Sequence, residues 1–496
     1  KAMEQQTILN QWGDLGNGYY RNPVLNADYS DPDVVRVGRD FYMVCSEFHY
    51  MGIPVLHSQD LVNWKIIGRA YDRLDIAPQY SEMEAYGRGS WAPSITYHGG
   101  WFYLYFCTPT EGLFMTKTQN PAGPWEPLHC VHRTEGWEDP CPFWDEDGTA
   151  YLGHSVLGAG PIIVHKMSAD GKTLLDDGRV VYVGKTAEGT KFYKSHGYYM
   201  LVIPEGGVGK GWQTVLRSKE SVYGPFEKRV VLQTGKTNVN GPHQGSLIEL
   251  DNGESWFIHF QDTGALGRVC HLQPVTWEDG WPVMGCHGEP VSICQKPNTG
   301  IVCPPSRPQS SDTFEEPSLG LQWAVNHNPV DGKLSLTEAP GALRMYSMEA
   351  GHLLHARNTV TQKLMGRKGQ ITVRLSASGM AEGQRAGLAV LGGRAENWIE
   401  AQKRDGKLFV EAAAGGIAAY GPQAGNILFF RCNVDLDGVT SFCFSLDGSV
   451  FMPLGGACEI VNGFWKGARP ALYTFHTPGS TGGYVDWHNF TYEMFD

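Results

Sequence analysis

Three acidic residues occupy the same position in a sequence unit that recurs along the first part of the chain. They are Asp31 in "DPDVVRVGRDFYMVCS", Asp139 in "DPCPFWDEDGTAYLGH" and Glu188 in "EGTKFYKSHGYYMLVI". A single Asp before Pro often only starts a turn. The shared position within a repeat instead favours a working role for all three carboxylates.

Carboxyl groups in such a set can hydrolyse a glycosidic bond. The reaction needs one carboxylic acid that protonates the leaving oxygen, and one carboxylate across the sugar that activates water or attacks directly. A third carboxylate can raise the pKa of the acid by like-charge repulsion, which keeps the acid protonated to higher pH. We therefore expect acid–base chemistry on a bound sugar if the fold brings these residues together.

The repeated unit consists of a polar head, a strand, a hairpin turn and an aromatic strand, and it occurs five times. The other two copies begin at Trp91, in "WAPSITYHGGWFYLYF", and at His243, in "HQGSLIELDNGESWFIHF". The heads follow one another at intervals of roughly 50 to 60 residues, the length of one four-stranded propeller blade. The pattern predicts an all-β fold with a five-bladed β-propeller over residues 1–294, whose heads converge on one axial pocket.

Six segments between residues 22 and 290 together resemble glycoside hydrolase family 43. They are "YSDPDVVRVGRDFYMV", "GSWAPSITYHGGWFYLYF", "EDPCPFWDEDGTAYLGHS", "EGTKFYKSHGYYMLVIPEGG", "NGPHQGSLIEL" and "HFQDTGALGRVCHLQP". The resemblance implies a propeller enzyme that inverts the anomeric centre, commonly a β-xylosidase or an α-L-arabinofuranosidase. It implies that Asp31 is the general base, Asp139 the modulator of the acid's pKa and Glu188 the general acid. Thr190 stands where many relatives have Pro.

Five further residues are candidates for the pocket wall. Glu205, in "IPEGG", is the competing acid, but it follows the second strand of its unit, so we interpret it as a wall or subsite residue. Trp91 either stacks on a sugar ring or belongs to the core. Phe48 and His49 are expected to close the pocket over the terminal sugar. By the family resemblance, Arg268 hydrogen-bonds the innermost sugar, and a surface arginine is the alternative.

His243 heads the fifth unit and is expected to point toward the propeller axis. A lone histidine is more often a satisfied core residue than a metal ligand. The family resemblance instead implies a position beneath the active site, beside a calcium ion or a water cluster. Since calcium prefers oxygen ligands, His243 would supply only one of several. No organic or redox cofactor is expected.

The stretch "QKPNTGIVCPPSRPQSSDTF" is rich in Pro, Ser and Gly and predicts an inter-domain linker at residues 295–312. Residues 313–496 alternate short β-type runs with turns, which predicts an antiparallel β-sandwich. They also resemble the C-terminal sandwich of many family 43 exo-enzymes, in which a loop can wall off the active-site rim. Phe475 is the predicted intruding side chain, with a simple hairpin turn as the alternative. Asp312 and Asp486 form a further hypothesis, a shared structural calcium.

Composition narrows the classes of function. The 496 residues carry a net charge of −12 and no Lys/Arg-rich run, which argues against a nucleic-acid partner or an anionic membrane surface. The sequence has no stretch of eighteen apolar residues, so no membrane-spanning segment is expected.

Because the chain opens with Lys1, a signal peptide could already be removed; secretion or periplasmic export is expected, with the cytoplasm as the alternative. Most of the eleven cysteines are expected to be buried free thiols.

The leading hypothesis is an exo-acting, inverting glycosidase that removes terminal xylose or arabinofuranose from plant-wall oligosaccharides or polysaccharides. An endo-acting arabinanase, with an open groove across the propeller, is the second enzymatic hypothesis. A non-catalytic sugar-binding propeller is the hypothesis from a different class, since a fold alone does not fix a function. The sequence leaves the oligomeric state open.

Overall fold

A computed structural model of the chain describes residues 11–47, 51–82, 87–392 and 396–495. Within these ranges almost all regular structure is β-strand. The helical elements are α1 (Gln79–Glu82) and two 3-10 turns, Gly264–Leu266 and Leu353–His355. No helix in the described ranges is long and apolar enough to cross a membrane.

The first half of the chain forms five sheets, each built from four consecutive antiparallel strands. Two short strands come first, β1 (Gly13–Asp14) and β2 (Tyr19–Arg21). The first blade contains β3 (Asp33–Val37), β4 (Asp40–Val44), β5 (Gly52–Ser58) and β6 (Lys65–Tyr71). The second contains β7 (Trp91–His98), β8 (Trp101–Thr108), β9 (Gly112–Thr118) and β10 (His129–Arg133). The third contains β11 (Trp137–Trp144), β12 (Ala150–Val156), β13 (Pro161–Met167) and β14 (Arg179–Val183). The fourth contains β15 (Lys191–Ser195), β16 (Tyr198–Glu205), β17 (Trp212–Ser218) and β18 (Glu227–Leu232). The fifth contains β19 (Gly245–Glu249), β20 (Ser255–Asp262), β21 (Arg268–Glu278) and β22 (Trp281–Met284).

The predicted hairpin turns explain why the blades fold locally. In the second blade, His98 pairs with Trp101, which leaves a two-residue loop of Gly99 and Gly100. Their φ angles are 57° and 85°. A tight hairpin loop needs positive φ at both positions, which glycine adopts without steric cost.

Each blade buries its faces against its neighbours. One hydrophobic cluster joins Val55 of the first blade to Phe106 of the second, and another joins Met115 of the second to Leu152 of the third. The next two blade contacts are filled in the same way. A single four-stranded sheet cannot bury both faces alone, so the five sheets stack around an axis.

The ends of the propeller are joined outside the blades. β23 (Ile293–Gln295) pairs with β2, with Tyr19 opposite Gln295. The segment that leads to the first blade then follows β21 of the fifth blade, where the Tyr29 N–H donates to the Arg268 carbonyl at 3.0 Å. The chain therefore connects its first and last blades before the second domain begins.

The second half forms two antiparallel-rich sheets of eight and seven strands. Its strands are β24 (Ala324–Val325), β25 (Leu334–Ser335), β26 (Leu343–Tyr346), β27 (Met348–Glu349), β28 (Thr359–Thr361), β29 (Lys368–Ser376), β30 (Gln384–Leu391), β31 (Trp398–Arg404), β32 (Lys407–Ala414), β33 (Ile417–Ala424), β34 (Ile427–Asp435), β35 (Ser441–Ser445), β36 (Met452–Pro453), β37 (Arg469–His476) and β38 (Tyr484–Met494). The larger sheet has the order β24-β28-β37-β30-β31-β32-β33, with β27 beside β37. The smaller has the order β25-β26-β38-β29-β34-β35-β36.

The two sheets pack face to face as a sandwich. Burial alternates along β29, where Ile371, Val373 and Leu375 are buried between more exposed neighbours. This alternation is the pattern of a strand with one face on the core. The same hydrophobic cluster includes Leu388 and Val410 of the opposite sheet. The predicted all-β architecture, a five-bladed propeller followed by an antiparallel sandwich, is confirmed.

The two domains share buried contacts. The Lys363 ammonium of the sandwich donates to the Asp28 carbonyl of the propeller at 2.6 Å, and the Gly467 N–H donates to the Asp28 carboxylate at 2.8 Å. The hydrophobic cluster of the sandwich also continues into the propeller through Trp64 and Leu272. The boundaries placed at residues 294 and 312 remain predictions.

Candidate active site

Residues from all five blades form the wall of one cavity. The cavity has a volume of about 420 Å³, and its wall includes Asp31, Ala92, Asp139, Glu188 and Gln244. Each of these residues lies at or just before the start of the innermost strand of its blade. The structure thus brings the three carboxylates selected from the sequence into a single pocket.

Three residues at or next to the repeat heads share an unusual backbone conformation. Asp31, Ala92 and Asp139 have φ angles of 56°, 41° and 57°. Residues with a side chain rarely adopt this left-handed region. Strain of this kind persists only where the surrounding structure holds it, and it is concentrated at functional sites.

Asp31 is held as a carboxylate acceptor. Its side chain is buried, and its Oδ2 atom accepts hydrogen bonds from the hydroxyls of Ser30 at 2.8 Å and Ser46 at 2.5 Å. The Ser46 hydroxyl in turn accepts from the Ala92 N–H at 2.7 Å, which fixes its orientation. Hydrogen bonds to the charged form favour an ionised carboxylate.

Asp139 is buried among hydrogen-bond donors and like charges. Its Oδ2 atom accepts from the Ser155 hydroxyl at 2.8 Å and from the Gly189 N–H at 2.9 Å. Burial raises the pKa of Asp139 to about 6, with contributions from the charges of Glu188 and Asp31, and these two hydrogen bonds oppose the rise. Asp139 therefore binds its proton more tightly than an exposed aspartate does.

Glu138 is a fourth carboxyl group in the pocket that the sequence reasoning missed. Ligand atoms of Glu138, Asp139 and Glu188 all lie within 4.8 Å of one another. Burial, followed by the charges of Asp139, Glu188 and Asp31, raises the pKa of Glu138 to about 9. Its position directly before Asp139 in "EDP" was the available signal. Such a group of carboxyls could hold a metal ion.

His243 lies where the repeat predicted it, in the wall of the pocket. Its Nε2 atom lies 3.2 Å from Glu188 Oε1, although the contact does not have hydrogen-bond geometry, and Nδ1 has no hydrogen-bond partner among the described residues. In the described part of the chain, His243 belongs to no group of three or more side chains with metal-ligand spacing. Calcium requires several oxygen ligands, and the carboxylate beside His243 is that of Glu188, so the axial calcium stays a prediction.

Arg268 lines the pocket beside Asp31. Its Nη1 atom lies 3.7 Å from Asp31 Oδ1 and donates to the Ser30 hydroxyl at 3.3 Å. The guanidinium lies over the rings of Phe260 and Trp465, at 4.8 and 4.6 Å from their centroids. This largely buried arginine is therefore positioned to meet a polar group of a ligand, and it is not a surface residue.

An aromatic residue of the sandwich domain closes one side of the pocket. Trp465 lies in its wall, and its ring meets that of Trp91 edge-on at a centroid distance of 5.1 Å. Both Phe464 and Trp465 have positive φ angles, 51° and 58°. Trp465 was not among the site residues predicted from the sequence. The signal for it in the sequence was an aromatic pair between glycines in "NGFWKG".

The prediction that Phe475 intrudes into the active site is corrected. Phe475 belongs to β37 and is fully buried in a core cluster with Tyr473 and Leu391. The Gly/Pro-rich stretch that suggested a loop begins only after this strand has ended at His476. Phe475 therefore faces the core from within a central strand. The contact with the rim of the pocket comes instead from the connecting segment that carries Trp465.

Glu205 is also placed differently from its prediction as a wall residue. It lies outside the pocket lining, and its two carboxylate oxygens accept hydrogen bonds from the hydroxyls of Tyr182 and Thr214. Since one oxygen is engaged by Tyr182 of the third blade and the other by Thr214 of the fourth, Glu205 is a structural residue. The predicted contacts of Phe48 and His49 lie outside the described residues.

The hypothesis of a calcium ion shared by Asp312 and Asp486 is corrected as well. Asp486 forms a two-point ion pair with Arg344, at 2.8 and 3.0 Å. Asp312 accepts from the Phe314 N–H at 2.7 Å and from the Trp323 ring N–H at 2.9 Å. Each carboxylate is therefore neutralised or hydrogen-bonded by its own neighbours.

A second cavity adjoins the pocket at the boundary of the two domains. Its volume is about 1000 Å³, and it shares Trp91, Leu157 and Trp465 with the first cavity. Thr110 of the propeller and His355 of the sandwich contribute to its wall. A ligand held in the pocket can therefore extend outward into this second space.

Comparison with known proteins gives a consistent result. Residues 20–282 match the family Glycosyl hydrolases family 43, and residues 311–493 match the Beta xylosidase C-terminal Concanavalin A-like domain. A Xylanibacter ruminicola protein with the provisional name beta-xylosidase is 48% identical over 93% of this chain and 88% of its own length. The non-reducing end alpha-L-arabinofuranosidase BoGH43B of Bacteroides ovatus is 32% identical over 76% of this chain and 74% of its own.

A solved structure shares the full architecture. The xylan beta-1,4-xylosidase of Bacillus halodurans C-125 superposes with a TM-score of 0.83, at 25% identity, over 96% of this chain and 100% of that one. The family match covers the blades that carry the carboxylates, and the second match covers the domain that supplies Trp465. The chain is therefore a member of glycosyl hydrolases family 43.

Proposed function

We propose that this protein is an exo-acting, inverting glycoside hydrolase that removes terminal β-D-xylose or α-L-arabinofuranose from plant cell-wall oligosaccharides. The observation that carries the proposal is the convergence of Asp31, Asp139 and Glu188 on a cavity that Trp465 closes on one side. Four carboxyl groups in one pocket, including Glu138, are costly to assemble because like charges and burial oppose ionisation. A catalytic gain explains why the fold maintains them.

Asp31 acts as the general base. It takes a proton from a water molecule while the water oxygen attacks the anomeric carbon. The hydroxyls of Ser30 and Ser46 donate to its carboxylate and fix its position in the pocket. Arg268, 3.7 Å from the other carboxylate oxygen, adds a positive charge and a donor for a sugar hydroxyl.

Glu188 acts as the general acid. It gives its proton to the leaving glycosidic oxygen as the bond from that oxygen to the anomeric carbon breaks. Its side chain is 20% exposed and lines the cavity. A carboxylate oxygen of Asp139 lies within 4.8 Å of one of Glu188, so Asp139 is positioned to modulate the acid by like-charge repulsion. Proton exchange with water then restores both groups.

The shape of the site supports exo action. Trp465 of the sandwich domain and Trp91 of the propeller meet in the part of the pocket wall that is shared with the adjoining cavity, and their rings narrow the space for a polysaccharide chain. The adjoining cavity of about 1000 Å³ provides space for the leaving part of the substrate. The two sugars are proposed because relatives carry the names beta-xylosidase and alpha-L-arabinofuranosidase. The donor set around His243 gives no support to a role for axial calcium.

A panel of nitrophenyl glycosides tests the proposal. Turnover of the β-D-xylopyranoside or the α-L-arabinofuranoside, with single sugars released from linear oligosaccharides, is the expected result. Mixed oligomers from the same substrates would favour an endo-acting enzyme. Sugar binding without any hydrolysis would favour a non-catalytic propeller, and both outcomes would overturn the proposal.

A further inference from the structure

A buried lysine lies on the propeller axis next to the catalytic pocket. Lys191 is the first residue of β15, and only 1% of its surface is exposed. Its Nζ atom has no hydrogen-bond partner among the described residues, and it lies 4.0 Å from the carboxylate of Asp33. A buried ammonium without hydrogen bonds is costly, so its retention needs an explanation.

The position of Lys191 is one layer below the catalytic carboxylates. Lys191 and Asp33 line a second axial cavity, of about 420 Å³, whose wall comes from the innermost strands of all five blades. Asp31 lies two residues before Asp33 in the chain, and Glu188 lies three residues before Lys191. Since a strand advances by about 3.3 Å per residue, Lys191 follows the carboxylates along its innermost strand and lines the lower cavity beside Asp33.

Several charged or titratable groups act electrostatically on this ammonium. The first blade contributes Asp33 and Asp31, and the third contributes Asp139 and Cys141. Burial disfavours the charged form of Lys191, but these neighbours outweigh it and the pKa of Lys191 is raised. The Asp33 carboxylate also accepts a hydrogen bond from the Ile95 N–H at 2.8 Å. Lys191 is therefore not the only donor beside this carboxylate.

We propose that Lys191 is the resident axial cation of this propeller, shared between Asp33 and the catalytic carboxylates Asp31 and Asp139. It supplies, from the chain itself, the positive charge for which the sequence around His243 had suggested calcium. Lys191 does not reach the sugar, because it lines the lower cavity and not the pocket. It is a positioning residue, and its role rests on the proposed function.

The pH dependence of kcat/KM distinguishes this role from simple packing. Lys191→Met removes the cation, which disfavours ionised Asp31, so the acidic limb of the profile should move to higher pH by about one unit. Asp33→Asn removes the competing anion and should move the same limb to lower pH. Lys191→Arg should keep the wild-type limb. Lys228→Met, an exposed lysine on the outermost strand of the same blade, is the matched control.

If Lys191 only packs the core, the Lys191→Met and Asp33→Asn variants should lose stability, but their acidic limbs should not move in opposite directions. Superimposable pH profiles of the two variants and the wild type would overturn the proposal. A second measurement uses the wild-type protein and does not depend on the folding of any variant. After treatment with a chelator, calorimetric titration with calcium should show no stoichiometric binding, and turnover should be unchanged. One tightly bound calcium whose removal abolishes turnover would also overturn it. Wild-type protein without glycosidase activity would instead refute the proposed function.

Discussion

At the scale of single residues, the environments of the carboxyl groups separate their roles. Asp31 accepts two hydroxyl hydrogen bonds and lies beside Arg268, which supplies a positive charge. Glu138 and Asp139 are surrounded by burial and like charge, and their pKa values rise. Glu188 reaches into the cavity. Unequal environments of this kind allow chemically identical groups to act as acid and base at one pH.

The loss of kcat after substitution of the base and after substitution of the acid should depend differently on the leaving group of the substrate. Asp31→Asn should lower kcat by about 10²–10⁴-fold on every substrate, because each reaction needs activated water. Glu188→Gln should cause a similar loss on xylo-oligosaccharides but a much smaller one on dinitrophenyl glycosides, since a weakly basic phenolate leaves without protonation. Steady-state kinetics on both substrate types checks this. Equal losses for Glu188→Gln on both would contradict its assignment as the acid.

Glu138 should reduce the stability of the fold as pH rises. Its pKa of about 9 in the folded protein lies above the value of an exposed glutamate, so between these two values the folded state binds the extra proton. Stability attributed to this group therefore falls as pH increases through that window. Glu138→Gln should raise Tm at pH 8 and change it little near pH 4. Thermal unfolding at both pH values measures the effect, and an equal change at the two would contradict it.

At the scale of elements, the repeat was readable from the sequence because each blade presents its head, turn and aromatic strand in the same order. The heads Asp31, Asp139 and Glu188 therefore reached the same pocket as expected. Glu138 was missed because it lies one position before the head. Trp465 was missed because the sandwich has no repeat, and a connecting segment that crosses to another domain leaves no periodic pattern.

The segment that carries Trp465 should control substrate binding more than chemistry. Trp465→Ala removes ring contacts with Trp91 and Arg268 and opens the pocket. KM for xylobiose should increase by about fivefold, in line with the roughly 1 kcal/mol of an aromatic contact, while kcat changes less. The buried Phe475→Leu is the control and should lower Tm with an unchanged KM. A Trp465→Ala variant with wild-type KM would show that the segment is not part of the site.

At the scale of the whole molecule, the two domains share one hydrophobic cluster. One hydrophobic cluster includes Trp64 of the first blade, Leu272 of the fifth and Phe430 of the sandwich. Polar contacts at Asp28 connect the same surfaces. This arrangement explains how a residue of the second domain can be held in the pocket of the first.

Calorimetric unfolding of the full chain should therefore give a single transition. Domains that share a buried core lose that core together, so separation of one domain destabilises the other. Asp28→Ala, which removes the carboxylate contact to Gly467, should lower the temperature of this one transition. Two transitions, of which only one responds to Asp28→Ala, would contradict the shared core.

The stereochemistry of hydrolysis shows whether Asp31 activates water for direct attack, because such an attack inverts the anomeric centre. Proton NMR during hydrolysis of an aryl β-D-xyloside by the wild-type enzyme records the anomer that is released first. If Asp31 is the general base, α-xylose accumulates first and then mutarotates. Initial release of β-xylose would mean that a carboxylate attacks the sugar, and it would contradict the assigned roles of Asp31 and Glu188.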